Sequence, residues 1–253
     1  MYLYGKNSVL ERLETNPASI RSVFLQDNFD APVVLRAIRL AGIQVERVSE
    51  KELYRIKRAD RLQGIVAEVD QFQYTNFEEI LHGPGQPDGE EKGRMGGGER
   101  MNFIFLDGVN DPHNLGSIMR IAACFGAFAI VIPRHGSCGV NDTVMHVASG
   151  GENFVSVSMV NNMTTAILRA KNAGYWVVGT VVEDGADINS AVLPFPVCLV
   201  LGSEGKGIRY GIRKHLDMRI SLPMRGAALS FNVAMACAIF CHEISRQGGE
   251  RGS

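Results

Sequence analysis

Apolar and polar positions along the chain switch between the two periods that backbone geometry allows, about 3.6 residues for a helix and about 2 for a strand. Across residues 1–75 the pattern predicts helix over 8–14, strand over 22–25, helix over 32–41, strand over 45–48, helix over 50–56 and strand over 64–69. That order describes a small α/β module. The alternation resumes after residue 100. Phe103 to Asp107 is an apolar run ending in an acid, as expected of a buried parallel strand. A helix follows Asn114, with Ile118, Ile121, Ala122 and Phe125 at helical spacing. Strand over 129–133, helix over 163–173, strands over 176–182 and 197–201, a short helix from Ile208, strand over 219–222 and helix over 230–244 complete the series. Strands alternating with helices imply a mainly parallel sheet covered on both faces.

Between the two parts lies LHGPGQPDGEEKGRMGGGER, with seven glycines, two prolines, many charges and no apolar periodicity. Such a stretch is expected to be flexible and solvated. The expected organisation is a domain over 1–75, a Gly-rich linker over 76–100 and a second domain over 101–253, with motion of the first domain as the default. Charge sharpens this division. Residues 1–75 hold 11 basic and 10 acidic side chains, residues 101–253 hold 12 and 11, and residues 76–100 hold 3 and 6. The acidic balance therefore sits in the linker, and a net charge of −1 does not by itself announce a nucleic-acid partner. Five cysteines (124, 138, 198, 237 and 241) without a C-x-x-C suggest a reducing compartment, and Cys237 and Cys241 read as core packing. No apolar h-region begins the chain, and the Val233–Cys241 run is too short for a bilayer. A soluble, cytoplasmic protein is expected, with no membrane partner.

Several common chemistries do not fit. Gly202-Ser-Glu-Gly-Lys-Gly207 has only two residues between its outer glycine and Gly205, and lacks Ser or Thr after Lys206, so it is no Walker loop. No G-x-G-x-x-G, G-x-S-x-G or H-x-x-x-H occurs, and no metal is expected. Three polar, Gly-rich clusters remain, each at the carboxyl end of a predicted strand, where open α/β sheets bind ligands. The first runs from Asp107 through Asn114 and Gly116 to Arg120. It reads either as a helix cap with a solvated arginine or as a site, and the apolar stripe turns Arg120 away from the core. The second, Gly202-Ser-Glu204-Gly-Lys-Gly207, reads as a tight turn or as backbone approaching a ligand. The third runs from Ile220 through Pro223, Met224 and Leu229 to Ser230 and Asn232. Here Ser230 is the expected helix cap and Asn232 falls in the first turn.

Taken together, N-x-G-x-x-x-R, L-G-S-E-G-x-G and I-x-L-P-M-x-G-x-x-x-S-x-N-V resemble the three signature motifs of the SpoU (TrmH-like) RNA methyltransferases of the SPOUT superfamily. Order, spacing and strand context match over residues 101 to 246. Tyr4-Gly5 and Leu62-Gln-Gly-Ile-Val-Ala67 are similar to the substrate-binding domain that precedes many of these enzymes. One position departs: Phe231 stands where the motif more often has leucine.

The resemblance implies an α/β fold with a trefoil-knotted, Rossmann-like parallel-sheet domain behind a small L30e-like RNA-binding domain. It also implies S-adenosyl-L-methionine as cofactor and a homodimer whose interface completes the site. By position, Thr180, Gly202, Ile220 and Leu229 would hold the cofactor, largely through backbone groups, with Met224 and Val200 as further walls. Asn114, Arg120, Glu204, Ser230 and Asn232 would form the polar catalytic surface, with Glu204 either orienting Arg120 or capping a helix. The implied reaction is methylation of a ribose 2′-hydroxyl in structured RNA, with a guanosine of large-subunit ribosomal RNA favoured over transfer RNA. A knotted assembly factor without activity is the rival class. Lys51, Arg55, Lys57, Arg58 and Arg61, with Tyr54 among them, read either as a solvated face or as phosphate contacts.

Overall fold

A computed structural model of the protein describes residues 1–82, 100–227 and 229–249. The first part contains β1 (Tyr2–Tyr4), α1 (Lys6–Thr15), β2 (Ile20–Gln26), α2 (Pro32–Ala41), β3 (Val45–Val48), α3 (Glu50–Ile56) and β4 (Ile65–Val69). These strands form a sheet in the order β1-β4-β2-β3, antiparallel except for the β2–β3 pair. Local chemistry sets the helix ends. Ser49 and Glu52 form a reciprocal capping box on α3, and Pro32 opens α2 while Gly42 closes it in a left-handed conformation.

The rest comprises α4 (Phe77–His82), β5 (Asn102–Asp107), α5 (Pro112–Phe125), β6 (Phe128–Pro133), α6 (Asp142–Ala148), β7 (Val157–Val160), α7 (Met163–Asn172), β8 (Trp176–Thr180), β9 (Ala186–Asp187), β10 (Val197–Gly202), α8 (Tyr210–Arg213), β11 (Met218–Ser221) and α9 (Val233–Gly249). Its seven strands run parallel in the order β7-β6-β5-β10-β8-β11-β9. Alternate residues of the central strands serve opposite layers. Ile104, Leu106, Leu199 and Leu201 face one core with α5 and α9, whereas Phe103, Phe105, Cys198 and Val200 face another with α4 and α7. Each large side chain buried this way contributes about 1.5–3 kcal/mol. Cys237 and Cys241 are buried on α9, as expected.

Two expectations change. Helix α4 falls inside the segment read as linker, and its Phe77 and Leu81 are buried against Phe103 and Phe105. The remaining linker residues, 83–99, lie outside the described residues, as does the tail from 250. The first module is also docked, through contacts remote from the linker. Lys57 Nζ lies 2.5 Å from Asp142 Oδ2 and above the Tyr4 ring. Tyr4 stacks on His146 at 4.0 Å, and burial raises its phenol above the usual range. His146 Nδ1 is 2.9 Å from the Tyr4 carbonyl; since a carbonyl only accepts, Nδ1 is the nitrogen that donates. Arg12 reaches Glu152 at 3.0 Å in a buried ion pair, and Met145 joins the core of the first module.

Candidate active site

The carboxyl ends of β8, β10 and β11 bound a cleft of about 470 Å³, in the range of small-ligand sites. Thr180, Gly202, Met224 and Ser230 line it, together with apolar Leu222, Ala236 and Phe240. The loop after β10 folds back on itself, with Ser203 and Gly207 bridged. A Cβ on Gly202 would lie 2.2 Å from the Gly207 carbonyl carbon, so this turn closes only with glycine. The side chains of three further expected residues do not line it, although Ile220 and Leu229 are expected to act largely through backbone groups. Ile220 and Val200 are wholly buried in the two cores, the Ile220 carbonyl accepting from Val181 N at 2.9 Å. Leu229 is exposed and off the lining. Helix α9 also contributes, through Ala236 and Phe240 at helical spacing, two residues for which the sequence carried no site signal.

Beside the cleft, three polar side chains form one node. Glu204 Oε1 accepts from Asn114 Nδ2 and from Asn232 Nδ2, each at 3.0 Å, and Asn232 Nδ2 also lies 2.9 Å from Asn114 Oδ1. Glu204 therefore bonds the two asparagines and neither orients Arg120 nor caps a helix. The helix caps differ from expectation as well. Asp111 caps α5, accepting from His113 N at 2.8 Å, and Asn114 falls in the first turn. Asn232, not Ser230, caps α9, its Oδ1 accepting from Ala234 N at 2.9 Å. That capping bond fixes the amide so that its nitrogen faces Glu204. Asn114 and Glu204 also border a second cleft of about 480 Å³. On its floor, buried Asp107 accepts from Arg209 Nε at 2.6 Å.

Arg120 stands apart. Six residues past Asn114, it is about 9 Å further along α5 and about 120° around it. It is exposed, lines neither cleft, and has no hydrogen bond or ion pair among the described residues. Its backbone is held from below, since a Cβ on Gly151 would lie 3.0 Å from Arg120 Cα. Gly116, earlier on the same helix, is packed on the Val144 carbonyl with no room for a side chain.

The basic run of the first module also divides. Lys51, Arg55, Arg58 and Arg61 are exposed, and Lys51, Arg55 and Arg61 line a groove of about 780 Å³ that also holds Tyr54. Lys57 is instead committed to Asp142 and Tyr4 at the domain junction.

Comparisons with known proteins agree with this arrangement. Residues 101–242 match the SpoU rRNA Methylase family, and residues 2–75 match the family described as RNA 2′-O ribose methyltransferase substrate binding. A putative TrmH family tRNA/rRNA methyltransferase, YacO of Bacillus subtilis, is 32% identical over 97% of this chain and 95% of its own. The 23S rRNA (guanosine-2′-O-)-methyltransferase RlmB of Ralstonia nicotianae is 33% identical, with the same coverage of each chain. A putative RNA methyltransferase of the TrmH family from Porphyromonas gingivalis superposes with a TM-score of 0.72 at 27% identity, over 97% of this chain and 89% of that one. The SpoU methyltransferase AviRb from Streptomyces viridochromogenes, solved with AdoMet, shares the fold at a TM-score of 0.77 and 20% identity, over 99% and 91%. The chain belongs to the SpoU rRNA methylase family.

Proposed function

We propose that the protein methylates a ribose 2′-hydroxyl of RNA, a guanosine of 23S ribosomal RNA in particular, using S-adenosylmethionine. The observation that carries this reading is the convergence of the second and third signature segments on one cleft, with the asparagine of the first tied to Glu204 at its edge. The cleft suits the cofactor. It offers an apolar wall of Leu222, Met224 and Phe240, a backbone-lined turn from Gly202 to Gly207, and the Thr180 end of β8. When bound there, S-adenosylmethionine supplies the methyl group.

The chain's own residues must align the ribose and manage its charge. Alignment at near-attack distance is worth about 7–11 kcal/mol in such displacements. Arg120, exposed and without a partner among the described residues, suits an RNA phosphate and the negative charge developing on O2′. A guanidinium does not surrender its proton near neutrality, so a phosphate or water takes the hydroxyl proton. Because Arg120 lines neither cleft of its own chain, we assign it to the cleft of a second copy in a homodimer. Met235 and Ile239, four residues apart on α9 and exposed, suit this contact, next to Phe231 at the mouth of the cleft. The expected trefoil knot belongs to the loops after β8, β10 and β11, and the protein acts in the cytoplasm, where ribosomal RNA is modified. Among the described residues no helix is long and apolar enough to cross a membrane.

The test is transfer of labelled methyl to unmodified transcripts of 23S ribosomal RNA fragments and of transfer RNA. Label at one ribose of the ribosomal fragment, resistant to alkaline cleavage, is the expected result. Label on transfer RNA alone would overturn the substrate, and absence of cofactor binding would overturn the reaction.

A further inference from the structure

The largest cleft at the domain junction belongs to neither the proposed reaction site nor the basic run. It measures about 830 Å³ and lies between α1 and the β4–α4 connection on one side and the turn after α6 on the other. Its polar lining is rich in amides: Asn16, Gln71, Gln73 and Asn153. The side-chain amides of Asn16 and Gln71 make no hydrogen bond with described residues, and Asn153 uses only its nitrogen, donating to the Gly150 carbonyl at 3.0 Å. Phe154 stands on the wall with 58% of its surface exposed, unusual for a phenylalanine beside a core. Arg12 is 8% exposed and its Nε has no partner among the described residues, although Nη1 and Nη2 are used by Ser19 and Glu152.

Charge decides what such a cleft can hold. Each of its cations is already matched, Arg12 by Glu152 and Arg21 by Asp70 at 2.8 Å. A phosphate would find no unneutralised charge there. A flat, neutral ring with donors and acceptors at its edge would find an aromatic face and amides without partners among the described residues. From this lining we propose that the cleft is a nucleobase subsite, taking an unpaired base of the RNA substrate beside the methylated nucleotide. The base stacks on Phe154 and is read at its edge by Gln71 and Asn16. The position favours this use, because the turn carrying Glu152, Asn153 and Phe154 begins at Gly151, which is seated on the Arg120 backbone. The wall of the cleft is thus carried by a turn packed against the backbone of the residue proposed to hold RNA. The inference rests on the RNA-modifying reading above.

Phe154→Ala, Phe154→Tyr and Gln71→Ala test it, using direct binding of a 23S ribosomal RNA fragment alongside methyl transfer. Phe154→Ala is expected to weaken binding of the fragment about tenfold, the range of one base–aromatic stack, with Phe154→Tyr near wild type. Gln71→Ala should lose less and change base preference at one unpaired position. The dependence of binding on salt should keep its slope, because no phosphate contact is removed. Wild-type affinity in Phe154→Ala, or a shallower salt slope, would overturn the proposal. So would a defect seen only on assembling ribosomal particles, which would assign the cleft to a protein. Weakened binding in a protein that methylates nothing would keep the subsite and sink the proposed reaction instead.

Discussion

Two parts of one signature differ sharply in their surroundings. Asn114, Glu204 and Asn232 are bonded to one another, and Asn232 is further pinned by capping α9. Arg120, from the same segment as Asn114, has no hydrogen bond or ion pair among the described residues and lines neither cleft. The node is preorganised and stays put, which suits groups that position a ligand. The arginine holds its charge for something that arrives. Physically, the difference comes from helix phase: residues 114 and 120 are separated by one and two-thirds turns, so one α-helix cannot present both to one point.

The largest effect should come from the free partner. Arg120→Ala is expected to lower methyl transfer at least a hundredfold, in the range of removing one charged transition-state donor. Its melting temperature and cofactor affinity should stay at wild type, because the side chain is exposed and has no partner among the described residues. Arg120→Lys should recover little, since an ammonium lacks the planar fork. A steady-state assay with calorimetry separates these quantities. Gly202→Ala comes next. Its Cβ would meet the Gly207 carbonyl carbon, so the turn must open, weakening cofactor binding tenfold or more and destabilising the fold by about 1–3 kcal/mol.

The node should divide into two functions. Asn232→Ser keeps a capping oxygen but removes both amide donors, so activity should fall about tenfold while stability holds. Asn232→Ala should lose the same activity and about 1 kcal/mol of stability as well, read by urea unfolding. The smallest effects belong to the basic run. Arg55→Ala is expected to reduce the salt slope of RNA binding by about one and to weaken binding severalfold. Lys57→Ala should leave that slope unchanged, since Lys57 is bound to Asp142, and should instead loosen the junction, visible as faster proteolysis near Tyr4.

Much of this was legible in the sequence because the signals were local or continuous. Phe103–Leu106 and Val197–Leu201 are unbroken apolar runs, and both became central strands. The three glycines of residues 202–207 marked a tight turn, and the stripe of Ile118, Ala122 and their neighbours already put Arg120 on another face of its helix. What was missed depends on distant partners. Helix α4 has six residues and gains its stability from Phe103 and Phe105, far along the chain. Helix α6 has seven and packs beneath Gly116. Lys57 looked like its basic neighbours until the fold placed Asp142 beside it. The cap of α9 moved from Ser230 to Asn232 because Asn232 also serves Glu204, a contact between segments 28 residues apart.

In the proposed homodimer, cleft and arginine come from different copies. Heterodimers purified through two distinct tags test it directly, with one copy carrying Arg120→Ala and the other Glu204→Ala. Each homodimer of a single variant should be nearly inactive. The mixed dimer retains one intact cleft facing one intact arginine, so it should methylate RNA at about half the wild-type rate. A dimer of wild type with the double variant should be inactive, because each of its sites then lacks one part. The opposite pattern, an inactive mixed dimer and a half-active wild-type pairing, would place Arg120 in the cleft of its own chain and contradict the account.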